Sequence, residues 1–225
     1  TSNGDDALSS VERYDPALDA WEAVAPMATA RYFHATAVLE GKLYAVGGDS
    51  DDDGYLSSVE RYDPAVGAWE AVVPMAAARS DHGVAVLDGK LYAVGGFNHG
   101  GRLSSVERYD PAVGAWEAVA PMAEARCDHA VAVLDGKLYA VGGRNNGGGL
   151  SSVDRCDPAT NAWEAVAPMT TARDSHAVAV LDGKLYAMGD LNSVERYDPA
   201  LDAWGAVAPM AEARCDHAVA VLDGK

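Results

Sequence analysis

Positive charge is scarce in this sequence: Lys plus Arg total 17 against 34 Asp plus Glu in 225 residues, a formal net charge of -17. A surface of that sign repels a phosphate backbone, which excludes nucleic acid as a partner. Cysteine is nearly absent. Cys127, Cys156 and Cys215 are an odd number spread over a long chain, which argues against a disulfide framework and for reduced thiols, hence cytoplasm or nucleus. Nowhere do about 18 apolar residues run together, and Thr1 opens an Asp-rich stretch where a signal segment would be charged and then apolar. A soluble domain without membrane contact is expected. Helical periodicity is missing too, because Gly or Pro punctuates every stretch. No Ser-His-Asp order, nucleophile elbow or phosphate-cradling Gly loop stands in a context that supports catalysis, and nothing calls for a cofactor.

What is present is a repeat. "SSVERYDPA" followed by "AWEAV" returns five times with small changes, with tryptophans at Trp21, Trp69, Trp116, Trp163 and Trp204, spaced 48, 47, 47 and 41 residues apart. A period of about 50 with four strand-like segments per unit is that of a propeller blade, since solenoid repeats are shorter or helical. In residues 129–143, "HAVAVLDGKLYAVGG", two apolar runs flank Asp135-Gly136, the dipeptide that supplies the positive φ angles of a type I′ hairpin. Near-continuous apolarity marks these as inner strands covered on both faces. "SVERYD" and "WEAVAPM" alternate instead, with Glu107 and Tyr109 opposite Val106 and Arg108, as half-exposed outer strands do. The turn between them carries Pro and then Gly67, Gly114, Asp19, Asp202 or Asn161 where left-handed backbone is required.

The Gly-Gly pairs at Gly47-Gly48, Gly95-Gly96 and Gly142-Gly143, each followed by a Tyr or Cys and then a Trp, resemble the Kelch repeat over essentially the whole chain. The resemblance implies an all-β Kelch-type propeller of four-stranded antiparallel blades forming a single domain over residues 1–225. Two units depart from the pattern: Gly189-Asp190 replaces the pair in the fourth, and Cys156 replaces the Tyr in the third. The count is five blades less one strand at closure. Either five blades form the ring, or the chain is a piece of a six-bladed domain; the fragment is preferred because a missing strand leaves two unpaired edges.

Antiparallel strands sort the loops onto two faces. One face carries "DGK" or "EGK" and "DPA" in every unit and holds all five lysines; the other carries loops that differ, from "DSDDDGYLSS" to a short "LNS". Variable loops on a repeated scaffold are where recognition resides. On that face an R-x-x-H pattern places Arg31, Arg79, Arg126, Arg173 and Arg214 at the start of the innermost strands. A basic ring there would select an acidic peptide segment through bidentate contacts, unless each Arg pairs with an Asp or Glu of a neighbouring blade. The resemblance extends to Kelch substrate adaptors of cullin-RING ubiquitin ligases, and it implies a pocket lined by each such Arg, the residue after it, and the residue after Gly-Gly. Those positions are Arg31-Tyr32, Arg79-Ser80, Arg126-Cys127, Arg173-Asp174 and Arg214-Cys215, with Asp49, Phe97 and Arg144; "GGRNN" adds Asn146. The implied function is protein binding as a substrate-recognition part or scaffold. Contact with ligase components would run through regions outside this chain. The alternative is a Kelch enzyme of oxidase, epimerase or specifier type, with a convergent metal or acid-base set at the axis.

Two patterns touch on metals. His34, His82, His129, His176 and His217 recur at one position, but equivalent positions diverge around an axis whereas a ligand set converges, so these are taken as structural. Asp49, Asp51, Asp53, Gly54 and Glu60 satisfy the D-x-D-x-D-G-x5-E spacing of a calcium loop. Strand-like flanks, and the recurrence of Glu60 as the "VER" glutamate of other units, favour a solvated acidic loop instead.

Overall fold

The computed structural model describes residues 7–221, and within them every regular element is a strand. Four complete blades follow one another. Each runs in simple up-and-down order from an inner to an outer strand, as in the second blade: Gly83–Leu87, Lys90–Val94, Val106–Asp110, Ala115–Val119. The first blade spans Ala35–Leu39 to Ala68–Val72, the third Ala130–Leu134 to Ala162–Val166, and the fourth Ala177–Leu181 to Ala203–Val207. Ahead of them a hairpin of Val11–Asp15 and Ala20–Val24 carries the sequence of two outer strands. Residues 217–221, expected to be a fifth inner strand, form no strand, and the expectations placed on Thr1 and Lys225 lie outside the described residues.

The hairpins follow from local chemistry. Asp135 and Gly136 have φ of 50° and 69°, so both turn residues adopt the left-handed backbone a type I′ turn demands. In the outer turn, Asp63 Oδ1 accepts from the Ala65 amide and the Asp63 carbonyl accepts from Gly67, whose φ is 72°. The Gly-Gly pairs serve close packing: a Cβ on Gly47 would lie 2.5 Å from the Arg79 carbonyl oxygen and 3.0 Å from the His82 ring. In the fourth blade Asp190 takes the second glycine's place at φ 63°, and the sheet bulges at Met188/Gly189 while keeping four strands.

The apolar core lies in the seams between blades. Leu39, Tyr44 and Val46 of the first blade pack with Leu91, Ala93 and Tyr109 of the second, and the same arrangement recurs at the next two seams. Tryptophans latch the seams from outside. Trp116 Nε1 donates to the Val73 carbonyl at 3.0 Å, reaching back to the preceding blade, and Trp69, Trp163 and Trp204 do the same at 2.9 Å. Among the described residues no blade precedes Trp21, which is 68% exposed.

Candidate functional site

The innermost strands of successive blades pack against one another, and the residue two past each R-x-x-H arginine lies at their shared centre. There the Asp81 amide donates to the Phe33 carbonyl, Asp128 to Asp81, Ser175 to Asp128 and Asp216 to Ser175, at 3.0–3.1 Å. This chain of backbone bonds forms an arc about the axis, and all five residues hold positive φ, between 49° and 54°. The arc rims a chamber of about 350 Å³, with the histidines that follow each of the five residues in its wall.

The arginines do not reach that chamber, which corrects the expectation of a basic ring. Arg31, Arg79, Arg126 and Arg173 are 0–2% exposed. Each folds across its own blade: Arg79 donates to the carbonyls of Gly95 (2.8 Å) and Ser105 (2.9 Å), to Ser105 Oγ (2.9 Å) and to Glu107 Oε1 (3.0 Å). Arg31 pairs in the same way with Glu60, Arg126 with Asp154 and Arg173 with Glu195. The physical reason is that a guanidinium's rigid set of donors can satisfy several acceptors at once, and the "VER" carboxylate on the third strand of the same blade neutralises it. The carboxylate has a second task. Glu107 also accepts from the amides of Ala76 and Ala77, fastening the segment that enters the blade. Glu60 is held identically by Ala28, Thr29 and Arg31, so it is no calcium ligand, and Asp49 and Ser50 pair with Tyr55 and Gly54 in a short hairpin that leaves Asp51 and Asp53 in solvent. Arg214 is exposed.

Other expected site residues come together in pairs. Isolated bridges join Tyr32 to Asp49, Ser80 to Phe97 and Cys127 to Arg144, so the residue after each Arg lies beside the residue after Gly-Gly of its own blade. Tyr32 Oη donates to Asp49 Oδ2 at 3.2 Å. Ser80 and Cys127 are buried, but Ser80 Oγ and Cys127 Sγ point to Asp81 and Asp128 on the arc. Burial pushes the Cys127 thiol up to about 12, so it is no nucleophile. Arg144 is exposed and lies 3.9 Å from the half-buried Asp174; Arg102 bonds to the exposed Asn146 above a small polar pocket. Cys215 is exposed at the end of the described chain.

The chamber is acidic. Burial, reinforced by Asp128, Asp49 and Asp216, pushes the Asp81 carboxyl up to about 6 despite the Ser80 hydrogen bond. Its wall is made of histidines kept neutral by burial and by the nearby arginines: His82 is pushed down to about 3 and His176 to about 4. Sequence reasoning missed the arc. The available signal was the position before each His, which reads Phe, Asp, Asp, Ser, Asp inside a motif whose Arg and His are constant.

On the opposite face the described lysines are paired. Lys42, Lys90, Lys137 and Lys184 each pair with the "DPA" aspartate of their own blade, Lys42 with Asp63 at 2.8 Å and Lys137 with Asp157 at 3.2 Å.

The chain is similar to known proteins. The model of the KLHDC2/KLHL20/DRC7 Kelch-repeats domain matches residues 2–190. Zebrafish (Danio rerio) Kelch-like protein 21 is 41% identical over 51 residues, and the mouse (Mus musculus) influenza virus NS1A-binding protein homolog is 49% identical over 53. These stretches cover 23% and 22% of this chain and 8% of each relative, so the chain matches only a small part of those proteins' length. The solved structure of YjhT superposes with a TM-score of 0.79 over 96% of this chain and 87% of its own, at 15% identity, which speaks for the fold alone. With repeat, blade architecture and a family match over most of its length in agreement, the chain belongs to the Kelch-repeat family and is a Kelch-type β-propeller.

Proposed function

We propose that this chain recognises a protein partner on the face bearing the variable loops and the axial chamber. One observation carries the reading: the blades repeat almost residue for residue, yet on this face the loops at residues 49–55, 97–102 and 144–149 differ in chemistry, and the first also in length. A scaffold that holds constant everything except one set of loops concentrates specificity there. Similarity to Kelch-like proteins supports a binding role over a catalytic one, and the finer role we infer is substrate recognition for a ubiquitin ligase adaptor, or scaffolding. The three free cysteines, two of them buried, suit a reducing compartment such as the cytoplasm.

The test replaces the loop tips at residues 51–53, 99–101 and 145–147 with Gly-Ser and compares cross-linked partners by quantitative mass spectrometry with those of wild type and of a Lys90→Glu/Lys137→Glu variant. Loss of partners in the loop variant alone is expected. Partners that survive the loop change and vanish with the lysine change would overturn the reading.

A further inference from the structure

The aromatic residues that do not belong to the repeat gather in one place. Of the ten tyrosines only Tyr32 and Tyr55 stand outside the recurring strand positions, and they lie with both phenylalanines of the chain, Phe33 and Phe97, on the loop face of the first two blades. Asp49 bridges Tyr32 on one side and pairs with Tyr55 on the other, which sets the two tyrosines in adjoining rows. Tyr32 meets Phe33 edge to face with ring centroids 5.0 Å apart; Tyr55 meets Phe97 in the same way at 5.7 Å and His99 at 4.8 Å. The corresponding positions of the next two blades, Cys127-Asp128 and Asp174-Ser175, carry no aromatic ring, and neither do their loops at residues 144–149 and 190–192.

Phe33 is the residue that packing explains least. It holds φ 50° on an arc whose other members are Asp81, Asp128, Ser175 and Asp216. Short polar side chains tolerate left-handed backbone, whereas a bulky one adopts it at a cost in strain. The ring is nevertheless 58% exposed, so burial does not offset that cost, and strain of this kind collects at binding sites. The surroundings are of one sign. Asp49, Asp51, Asp52 and Asp53 on the adjoining loop, and Asp81, whose amide donates to the Phe33 carbonyl, have no cation within ion-pair distance among the described residues. Arg102 stands on the far side, over the Phe97 ring at 5.8 Å.

We propose that this aromatic surface receives a partner-protein segment in which a large apolar side chain seats against Phe33, Tyr32 and Tyr55 and an adjacent Lys or Arg faces the acidic loop. Aromatic side chains give contact area at little cost in side-chain entropy, and the uncompensated aspartates beside them set the sign of the neighbouring residue. The inference rests on the loop face being the recognition surface and specifies the chemistry of the partner.

The probe is a phage-displayed library of random twelve-residue peptides selected on the intact chain, with affinities of the enriched peptides then measured by fluorescence anisotropy. Phe33→Ser installs the residue that the fourth blade holds at the same place, Ser175 at φ 49°, so the melting temperature should hold or rise while binding weakens about tenfold or more. Asp52→Asn/Asp53→Asn should weaken binding about threefold or more, and Glu117→Gln/Glu164→Gln, which removes the same charge from the outer strands, should leave it unchanged. The enriched peptides should share a large apolar residue next to Lys or Arg. Absence of enrichment, enriched peptides without that pair, or equal affinity for wild type and Phe33→Ser overturns the inference. A clear drop in the melting temperature of Phe33→Ser also overturns it, by making the ring structural. Peptides that ignore Phe33→Ser but are lost when residues 145–147 become Gly-Ser overturn this inference alone. Peptides lost only with Lys90→Glu/Lys137→Glu overturn the loop-face reading as well.

Discussion

Replacing Arg79 by Ala removes a fully buried guanidinium from a network in which it donates to two backbone carbonyls, a hydroxyl and a carboxylate. Glu107 keeps the amides of Ala76 and Ala77 but is left a buried anion without a counter-charge. Truncating one partner of a buried ion pair costs about 3–5 kcal/mol, because the remaining charge cannot return to water. The further substitution Glu107→Gln should recover part of this loss, since it discharges the stranded carboxylate while its Oε1 can still accept from an amide. Arg108→Ala provides the comparison: its partner Glu117 is 53% exposed, and such a pair is worth about 0–1 kcal/mol. Urea unfolding followed by circular dichroism measures all three. A loss below about 1 kcal/mol for Arg79→Ala, or one no larger than that of Arg108→Ala, would refute the structural assignment and return the arginine to solvent.

Protonation of the buried histidines gives a second expectation. The folded state holds His82 at about 3 and His176 at about 4, so below the ordinary value of about 6.5 the unfolded chain binds more protons and stability falls with falling pH. Each contributes a loss of about 2 kcal/mol by pH 5, only partly offset by Asp81, whose raised value acts in the opposite sense; His82→Leu should flatten the slope between pH 5 and 6, and an unchanged slope would contradict its burial. Trp116→Ala should cost about 2–3 kcal/mol, less than a fully buried aromatic, while Trp21→Ala, on the exposed hairpin, should cost under about 0.5 kcal/mol; equal losses in thermal melts would contradict the latch. In native protein a thiol reagent should modify Cys215 alone, since burial pushes Cys156 up to about 11 and Cys127 further; rapid reaction at more than one thiol would refute this.

The sequence by itself determined the architecture, because its signals are local. Asp-Gly at the hairpins, Asp-Pro with a residue tolerant of positive φ at the outer turns, and a Trp in each unit act within a few residues of themselves or on an identical neighbour, and repetition removes the ambiguity of any single instance. The loop face was legible for the same reason, since variation shows only against a constant background. The roles of charged residues were not legible. Whether Arg79 faces a partner or its own blade depends on Glu107, 28 residues on and brought beside it only when the third strand is laid down. The repeat lists an arginine and a glutamate per unit but not their distance. Once the tertiary structure had used the arginines to neutralise the "VER" carboxylates, the axial charge fell to Asp81, Asp128 and Asp216, each the residue before a histidine. An expected basic mouth became an acidic one, because only packing decides which charges are spent inside the fold and which remain to meet a partner.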